Sequence, residues 1–180
     1  MAEFRGGAAG GEPGPIFNPD QWDGYAASRV RFYDLLESEA IDDVVVLTGD
    51  IHTSWANDLP RVGSDPESYT PDTGDGSLAV EFVTPGISSP GLGALGDVIG
   101  PALRDFNPHV KFVDLEKRGY IVLDITAERC EAQWFLLDSA EDLEATEEFT
   151  AAFAAFAGDN RLRPVDEPAG PGVDVPDRAP

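Results

Sequence analysis

The sequence contains few cysteines and few basic residues. The single cysteine, Cys130, excludes an intramolecular disulfide framework and indicates a small packed thiol. Lys and Arg together number 12 against 34 Asp and Glu, which gives a formal net charge of -22. A chain this acidic repels nucleic acid and anionic membranes, so binding to either by bulk electrostatics is excluded. No apolar run is long enough to span a bilayer, and residues 1–14 lack the apolar segment of a secretory signal.

The length of 180 residues, of which 42% are hydrophobic, suits one domain with a sizeable core. Residues 1–16 are small, glycine-rich and interrupted by proline, which predicts a disordered leader. Residues 158–180 are rich in proline and charge, which predicts a flexible acidic tail. The domain is therefore expected to span residues 17–157.

The chain between these ends alternates helix and strand patterns, which predicts an α/β fold of layered sandwich type. Three closely spaced strand patterns near the carboxyl end predict an antiparallel meander, followed by a final helix. The predicted helices are Ala26–Glu39 and Glu141–Phe156, and the predicted strands are 44–48, Ser77–Thr84, Val110–Leu115, Tyr120–Thr126 and Cys130–Asp138.

The first of these strands carries the most informative residues of the sequence. Its all-apolar run predicts a central strand buried on both faces, and Gly49 would let the chain turn where the strand ends. Asp50 and His52 follow directly. In an extended backbone, residues two apart point to the same side, so this carboxylate and imidazole could converge on a metal ion. The alternative is a helix cap beside a surface histidine.

Three motifs in order carry a resemblance to a known family. They are Asn18 to Tyr25, Thr48 to Leu59 and Val80 to Gly91. Together they closely resemble the carboxyl-terminal half of the PhoD-like phosphatases (alkaline phosphatase D), which belong to the metallophosphoesterase superfamily. The resemblance runs from about Phe17 to Leu137. It implies half of a four-layered αββα sandwich, and a secreted or cell-envelope location.

The resemblance also implies a chemistry for the first strand's end. The segment Gly49 to His52 matches the last metal motif of the family, so Asp50 and His52 are carried over as metal ligands and catalytic residues. The family is associated with iron and calcium, and an aspartate oxygen is compatible with both. The implied reaction is hydrolysis of phosphate mono- or diesters by a metal-activated hydroxide.

Further residues are candidates for the substrate pocket, each with a structural alternative. The loop before the first helix would border the site, or would be a turn whose aromatic residues dock on that helix. Ser88 lies in a rigid Pro/Gly loop that could offer groups to phosphate, or could be an ordinary strand exit. His109 could touch the site, or could be a hydrogen-bonded histidine at a strand start. The loop candidates are Asp20, Trp22, Asp23 and Tyr25.

The family's earlier metal motifs are missing from this sequence. Two ligands leave a metal ion under-coordinated, so the isolated chain is expected to be inactive or barely active. The other donors would come from the missing amino-terminal half or from a complementing chain. Two alternatives remain open: a non-catalytic half-domain that acts as an interaction or structural subunit, and an acidic cation-binding module that uses the loop Pro60–Gly76.

Overall fold

Two four-stranded sheets organise the protein. The computed structural model describes residues 20–91 and 95–168. In the described residues, sheet 1 has the strand order β1-β3-β2-β4 and sheet 2 the order β5-β6-β7-β8. The elements are a 3-10 helix Trp22–Tyr25, α1 Ala26–Ser38, β1 Val45–Thr48, β2 Ser54–Pro60, β3 Ser77–Val83, α2 Leu95–Phe106, β4 Val110–Asp114, β5 Arg118–Ile125, β6 Arg129–Leu137, β7 Glu147–Phe156 and β8 Asp159–Val165.

The directions of the strands in sheet 1 bring several loops to one edge. β1 runs parallel to β3, while β2 runs antiparallel to both β3 and β4. The carboxyl ends of β1, β3 and β4 therefore meet where β2 begins. We call this the site edge, because the loop that carries Asp50 and His52 leaves β1 there. The other end of the same strands is called the far edge.

The main core lies between the two sheets. Trp134 of sheet 2 is fully buried, with ring centroids 5.8 Å from Phe82 and 5.3 Å from Phe112 of sheet 1. The other face of sheet 1 is covered by α1, through Tyr33 and Leu36, and by α2. The prediction of a layered α/β sandwich with an antiparallel meander is confirmed.

The first strand differs from its prediction. β1 lies at the end of sheet 1 and pairs only with β3 among the described strands, so it is an edge strand and not a central one. The side chain of Leu47 is 54% exposed. An apolar run alone does not show whether a strand lies in the centre of a sheet or at its edge.

The prediction of a final helix over Glu141–Phe156 is wrong. Residues Glu147–Phe156 form β7, which pairs antiparallel with β6 and with β8. Phe153, which suggested a helical stripe, packs on Trp134 with ring centroids 6.4 Å apart. Pairing on both sides and burial of the aromatic ring outweigh the helix propensity of the alanines in this segment.

Part of the segment predicted as a flexible tail also belongs to the sheet. Asp159–Val165 form β8, and Gly158 does not end a helix but turns the chain between β7 and β8 with φ +79°. The Gly158 N–H donates to Asp43 Oδ1 at 2.6 Å, which ties this turn to the loop before β1. Residues 1–16 and 169–180 of the predicted leader and tail lie outside the described residues.

Two elements have no counterpart in the sequence-based prediction. β2 reads Ser-Trp-Ala-Asn-Asp-Leu-Pro and is buried throughout, with three polar side chains, Ser54, Asn57 and Asp58, in the sheet interior. α2 occupies the stretch between β3 and β4 and ends near the far edge. No helix of the described residues is long and apolar enough to cross a membrane.

Candidate active site

The bend between β1 and β2 carries the two residues that the sequence singled out. Asp50 and His52 have φ values of +75° and +57°, so the backbone there is not extended and the alternation argument does not apply. Gly49 has no positive φ, and a Cβ placed on it would meet Thr84 Cγ2 at an ordinary 3.4 Å. Left-handed conformations of non-glycine residues are uncommon and cost free energy, and they concentrate at functional sites.

The imidazole of His52 has a fixed orientation. Its Nδ1 atom lies 3.1 Å from the carbonyl oxygen of Pro90, in the loop after β3. Because a carbonyl oxygen only accepts hydrogen bonds, Nδ1 must be the protonated nitrogen. In the neutral ring, Nε2 therefore keeps its lone pair, which is the state that a metal-binding histidine requires.

The carboxylate of Asp50 is exposed and lies at the mouth of a small cavity. Trp22 forms part of its wall, and Glu81 and Asn57 line it from β3 and β2. The cavity measures about 140 Å³, below the range that encloses a drug-sized ligand. The described residues therefore do not enclose a drug-sized pocket at this edge.

Glu81 and Asn57 were not among the sequence-based candidates. Glu81 is buried and accepts hydrogen bonds from Thr48 Oγ1 at 3.1 Å and from Asn57 Nδ2 at 3.0 Å. The Oδ1 atom of Asn57 is buried and accepts no hydrogen bond from the described part of the chain. A glutamate between Val80 and Phe82 in an apolar strand was the available signal, because buried carboxylates need a specific reason.

The loop after β3 is held against sheet 2. The Gly119 N–H of β5 donates to the Gly86 carbonyl at 3.2 Å, and Trp134 Nε1 donates to Val83 O at 3.3 Å. Gly119 must be glycine, since its φ is +156° and a Cβ would lie 2.1 Å from Phe135 O. Ser88 is exposed in this loop and makes no hydrogen bond with its described surroundings.

Arg118 joins the loops of the site edge. Its Nη1 atom donates to the carbonyl oxygens of Glu116 at 2.7 Å and Lys117 at 3.1 Å, and lies 3.5 Å from the carbonyl oxygen of His52. A Cβ on Gly91 would lie 2.1 Å from its Nη2 atom. The guanidinium is therefore packed directly between the His52 bend and the loop that binds the His52 ring.

The candidates before α1 divide into buried and exposed residues. Asp23 is buried and paired with Arg29 of α1, whereas Tyr25 is 57% exposed and Asp20 is exposed. Trp22 packs edge-on against Phe32 of α1 at 5.7 Å and also lines the cavity beside Asp50. Among these residues, the structure brings Trp22 to the site edge while it also docks on the helix.

His109 lies at the far edge, at the amino end of β4. It is 1% exposed, its carbonyl oxygen accepts the Asp58 N–H at 2.9 Å, and its ring packs against Gly63. Burial lowers the pKa of His109 to about 4, because the imidazolium loses its hydration. The structure therefore does not bring His109 together with Asp50 and His52.

The donor set of the bend is partial. Within residues 20–91 and 95–168, no three His, Cys, Asp or Glu side chains are grouped so that they could hold a metal ion. Asp50 and His52 fit as two donors, because the carboxylate is exposed and the Nε2 atom of the ring is the unprotonated one.

Comparison with known proteins supports the family resemblance of the sequence motifs. The family model described as PhoD-like phosphatase matches residues 1–134. Alkaline phosphatase D of Bacillus subtilis (strain 168) is 32% identical over 151 residues, which cover 84% of this chain and 24% of that protein. A solved structure of PhoD matches with a TM-score of 0.76 and 29% identity, over 93% of this chain and 30% of the other. The chain thus spans about a quarter of the length of the curated relative.

Proposed function

Because this chain belongs to the PhoD-like phosphatase family, we propose that it supplies one side of the active site of a metal-dependent phosphatase that hydrolyses phosphate mono- or diesters. The observation that carries the proposal is the bend after β1. There, two non-glycine residues adopt left-handed conformations, and a hydrogen bond to Pro90 leaves the Nε2 atom of His52 free to bind. Strain of this kind persists only where surrounding contacts maintain it, and it concentrates at functional sites.

Asp50 and His52 are the proposed metal ligands. An aspartate oxygen and an imidazole nitrogen together suit a site for calcium and iron, the ions that the family resemblance implies. Bound ions of this kind polarise a phosphoryl oxygen and activate water. Pro90 contributes by holding the His52 ring in the tautomer that binds, and Trp22 would wall the pocket beside Asp50.

The remaining donors must come from outside the described residues. The matching share of alkaline phosphatase D is 24% of its length, and the cavity at the site edge is open and small. We therefore propose that the missing amino-terminal half, or a complementing chain, completes the donor set. For the same reason the isolated chain is expected to show little or no turnover.

The second candidate function is a non-catalytic interaction subunit. The observation that favours it is the exposed edge of sheet 1, where Leu47 is exposed and no described strand pairs with the outer side of β1. Such an edge is a template for pairing with another chain. It is equally the edge at which a catalytic partner would add, so activity measurements must decide between the two.

The deciding experiment measures turnover of a phosphate ester by this chain, alone and mixed with the amino-terminal half of the same protein, in the presence of iron and calcium. We expect turnover only in the mixture, and its loss in both Asp50→Asn and His52→Ala. Asp72→Asn is the matched control, since it removes one exposed carboxylate from a loop at the far edge.

Three outcomes are informative. Turnover that survives both Asp50→Asn and His52→Ala would contradict the proposed ligands. Stable assembly of the two halves without turnover at any metal concentration would favour the interaction subunit. Substantial turnover by this chain alone, abolished in His52→Ala, would show that the donor set is more complete than proposed.

A further inference from the structure

Arg118 makes contacts at the site edge that its place at the start of β5 does not require. We propose that Arg118 is a positioning residue, which holds the bend of His52 so that the Nε2 atom of the ring stays open to a metal ion. This inference rests on the proposed function of His52. It assigns Arg118 no contact with substrate.

The first argument is the geometry of the guanidinium. Its Nη1 atom faces three carbonyl oxygens, those of His52, Glu116 and Lys117. The guanidinium is planar and always charged, and its donors keep fixed directions, so it can link its own turn, which supplies the Glu116 and Lys117 carbonyls, to the distant bend of His52. The distant residue, His52, is the one whose ring is proposed to bind the metal.

The second argument is the contact with Gly91. The guanidinium occupies the space that a side chain at Gly91 would need, with Nη2 2.1 Å from the position of a Cβ. The preceding residue, Pro90, is the one that accepts the hydrogen bond from His52 Nδ1. Arg118 therefore packs against both attachments of His52: its backbone carbonyl and the loop that fixes its ring.

The third argument is the backbone conformation of His52. A residue at φ +57° reverts to a more common conformation unless neighbouring contacts hold it. Within the described chain, two polar contacts hold His52: the ring bond to Pro90 and the carbonyl contact with Arg118. Removing Arg118 takes away one of these contacts and loosens the loop that makes the other.

Two variants test the positioning role of Arg118, one by removing the guanidinium and one by displacing it. Arg118→Met removes the guanidinium but keeps most of the side-chain volume. Gly91→Ala leaves Arg118 intact but forces the guanidinium away, because the new methyl group would overlap it. The matched controls are Arg61→Met, which removes an arginine that pairs with Asp34 and Glu37 on the surface, and Gly100→Ala, where a Cβ meets nothing within 4 Å.

The readout is the tautomer of the His52 ring, measured by nitrogen NMR of the full chain without metal. In the unmodified protein we expect Nδ1 to be protonated, and in Arg118→Met and Gly91→Ala a mixture of the two tautomers. The same samples are then titrated with Zn²⁺, a diamagnetic probe of imidazole binding. We expect both variants to bind it about 10-fold more weakly, as is typical when a residue that orients a ligand is lost.

The outcomes separate this inference from the proposed function. An unchanged His52 tautomer and unchanged Zn²⁺ affinity in both variants would overturn the positioning role. A tautomer change in the variants, with no response of the unmodified ring to Zn²⁺, would support the positioning contact and contradict the metal role of His52. Equal effects in Arg61→Met or Gly100→Ala would overturn the inference, since a general loss of charge or a general backbone change would then explain them.

Discussion

The two edges of sheet 1 use polar side chains in opposite ways. At the far edge, Asp58 is 0% exposed, and its carboxylate accepts hydrogen bonds from Tyr69 Oη at 2.6 Å and from the Leu162 N–H at 2.7 Å. Lys111 Nζ lies 3.4 Å from it. Burial raises the pKa of Asp58, whereas the contacts with Tyr69, Lys111 and Leu162 lower it. Both carboxylate oxygens of Asp58 are satisfied within the chain.

At the site edge, the polar groups are left open to other partners. Asp50 is exposed, the Nε2 atom of His52 makes no bond with a described residue, and Asn57 Oδ1 accepts none. The backbone of the bend is strained, whereas the network around Asp58 ties sheet 1 to β8 of sheet 2. The far edge therefore contributes stability, whereas the site edge gives up some stability for binding.

The largest effect is expected for the removal of Asp58. Asp58→Ala leaves the Tyr69 hydroxyl and the Leu162 N–H without their acceptor, and it leaves Lys111 without its carboxylate partner. Breaking a buried pair in this way costs about 3–5 kcal/mol. We expect a loss of that size in the free energy of unfolding, measured with denaturant, and less than about 0.5 kcal/mol for Asp50→Ala. Similar losses in the two variants would contradict this difference between the two edges.

The second prediction concerns the pH dependence of stability that results from the burial of His109 at the far edge. Its pKa is about 4 in the folded protein, against an ordinary value of 6.5 for a solvated histidine. The unfolded chain therefore binds the proton more tightly, so stability falls as the pH falls from about 6.5 towards 4. The loss attributable to His109 is roughly 3 kcal/mol.

The measurement is denaturant unfolding of the unmodified protein and of His109→Gln at several pH values between 7 and 4. Carboxylates titrate in the lower part of this range too, so the difference between the two proteins is the quantity of interest. We expect the difference to shrink or reverse as the pH falls. Parallel curves would show that His109 is not held neutral by burial.

The third prediction concerns the strain of the bend. Asp50→Gly removes a left-handed non-glycine residue, and glycine tolerates that conformation without strain. Relief of the left-handed conformation gains about 1–2 kcal/mol, and the greater freedom of glycine in the unfolded chain costs about 0.5–1 kcal/mol. We therefore expect a small net gain in stability together with the loss of metal binding. Ala40→Gly is the matched control, because Ala40 has φ +50° outside the site edge and should gain stability without any change in metal binding. A destabilised Asp50→Gly would mean that the carboxylate contributes to folding.

The smallest effect is expected for Ser88. Its side chain is exposed and makes no hydrogen bond within the described chain, so Ser88→Ala should change the free energy of unfolding by less than about 0.5 kcal/mol. If Ser88 contributes to the pocket, the variant should raise the KM of the assembled enzyme without a loss of stability. Unchanged kinetics would remove Ser88 from the pocket.

The sequence predicted those parts of the fold in which local pattern and tertiary role agree. The helix α1 and the strands β3 to β6 were predicted within a few residues. β7 was mistaken for a helix because alanine and regularly spaced phenylalanine favour one, and pairing with β6 and β8 reverses that preference. The sequence does not predict β2, because Asn57 and Asp58 are typical of loops. Their burial is explained only by distant partners.

Prediction of the site from the sequence was limited to the residues of its motif. The spacing of Asp50 and His52 identified the bend, but not its left-handed backbone, which a one-residue alternation rule cannot describe. Glu81 and Arg118 act through residues 33 and 66 positions away along the chain, and no local pattern reports such contacts. The binding role of Asp50 and His52 itself stays a prediction until the metal is measured.

The bond between β8 and Asp58 has a consequence for where the protein can be shortened. The family match ends at residue 134, inside β6, yet the Leu162 N–H donates to Asp58 Oδ1 from well beyond that point. A truncation at the limit of the family match would cut through a strand, delete half of sheet 2 and strip a buried carboxylate of a donor. The smallest folding unit must therefore extend through Val165, and the limit of the family model alone would set its boundary too early.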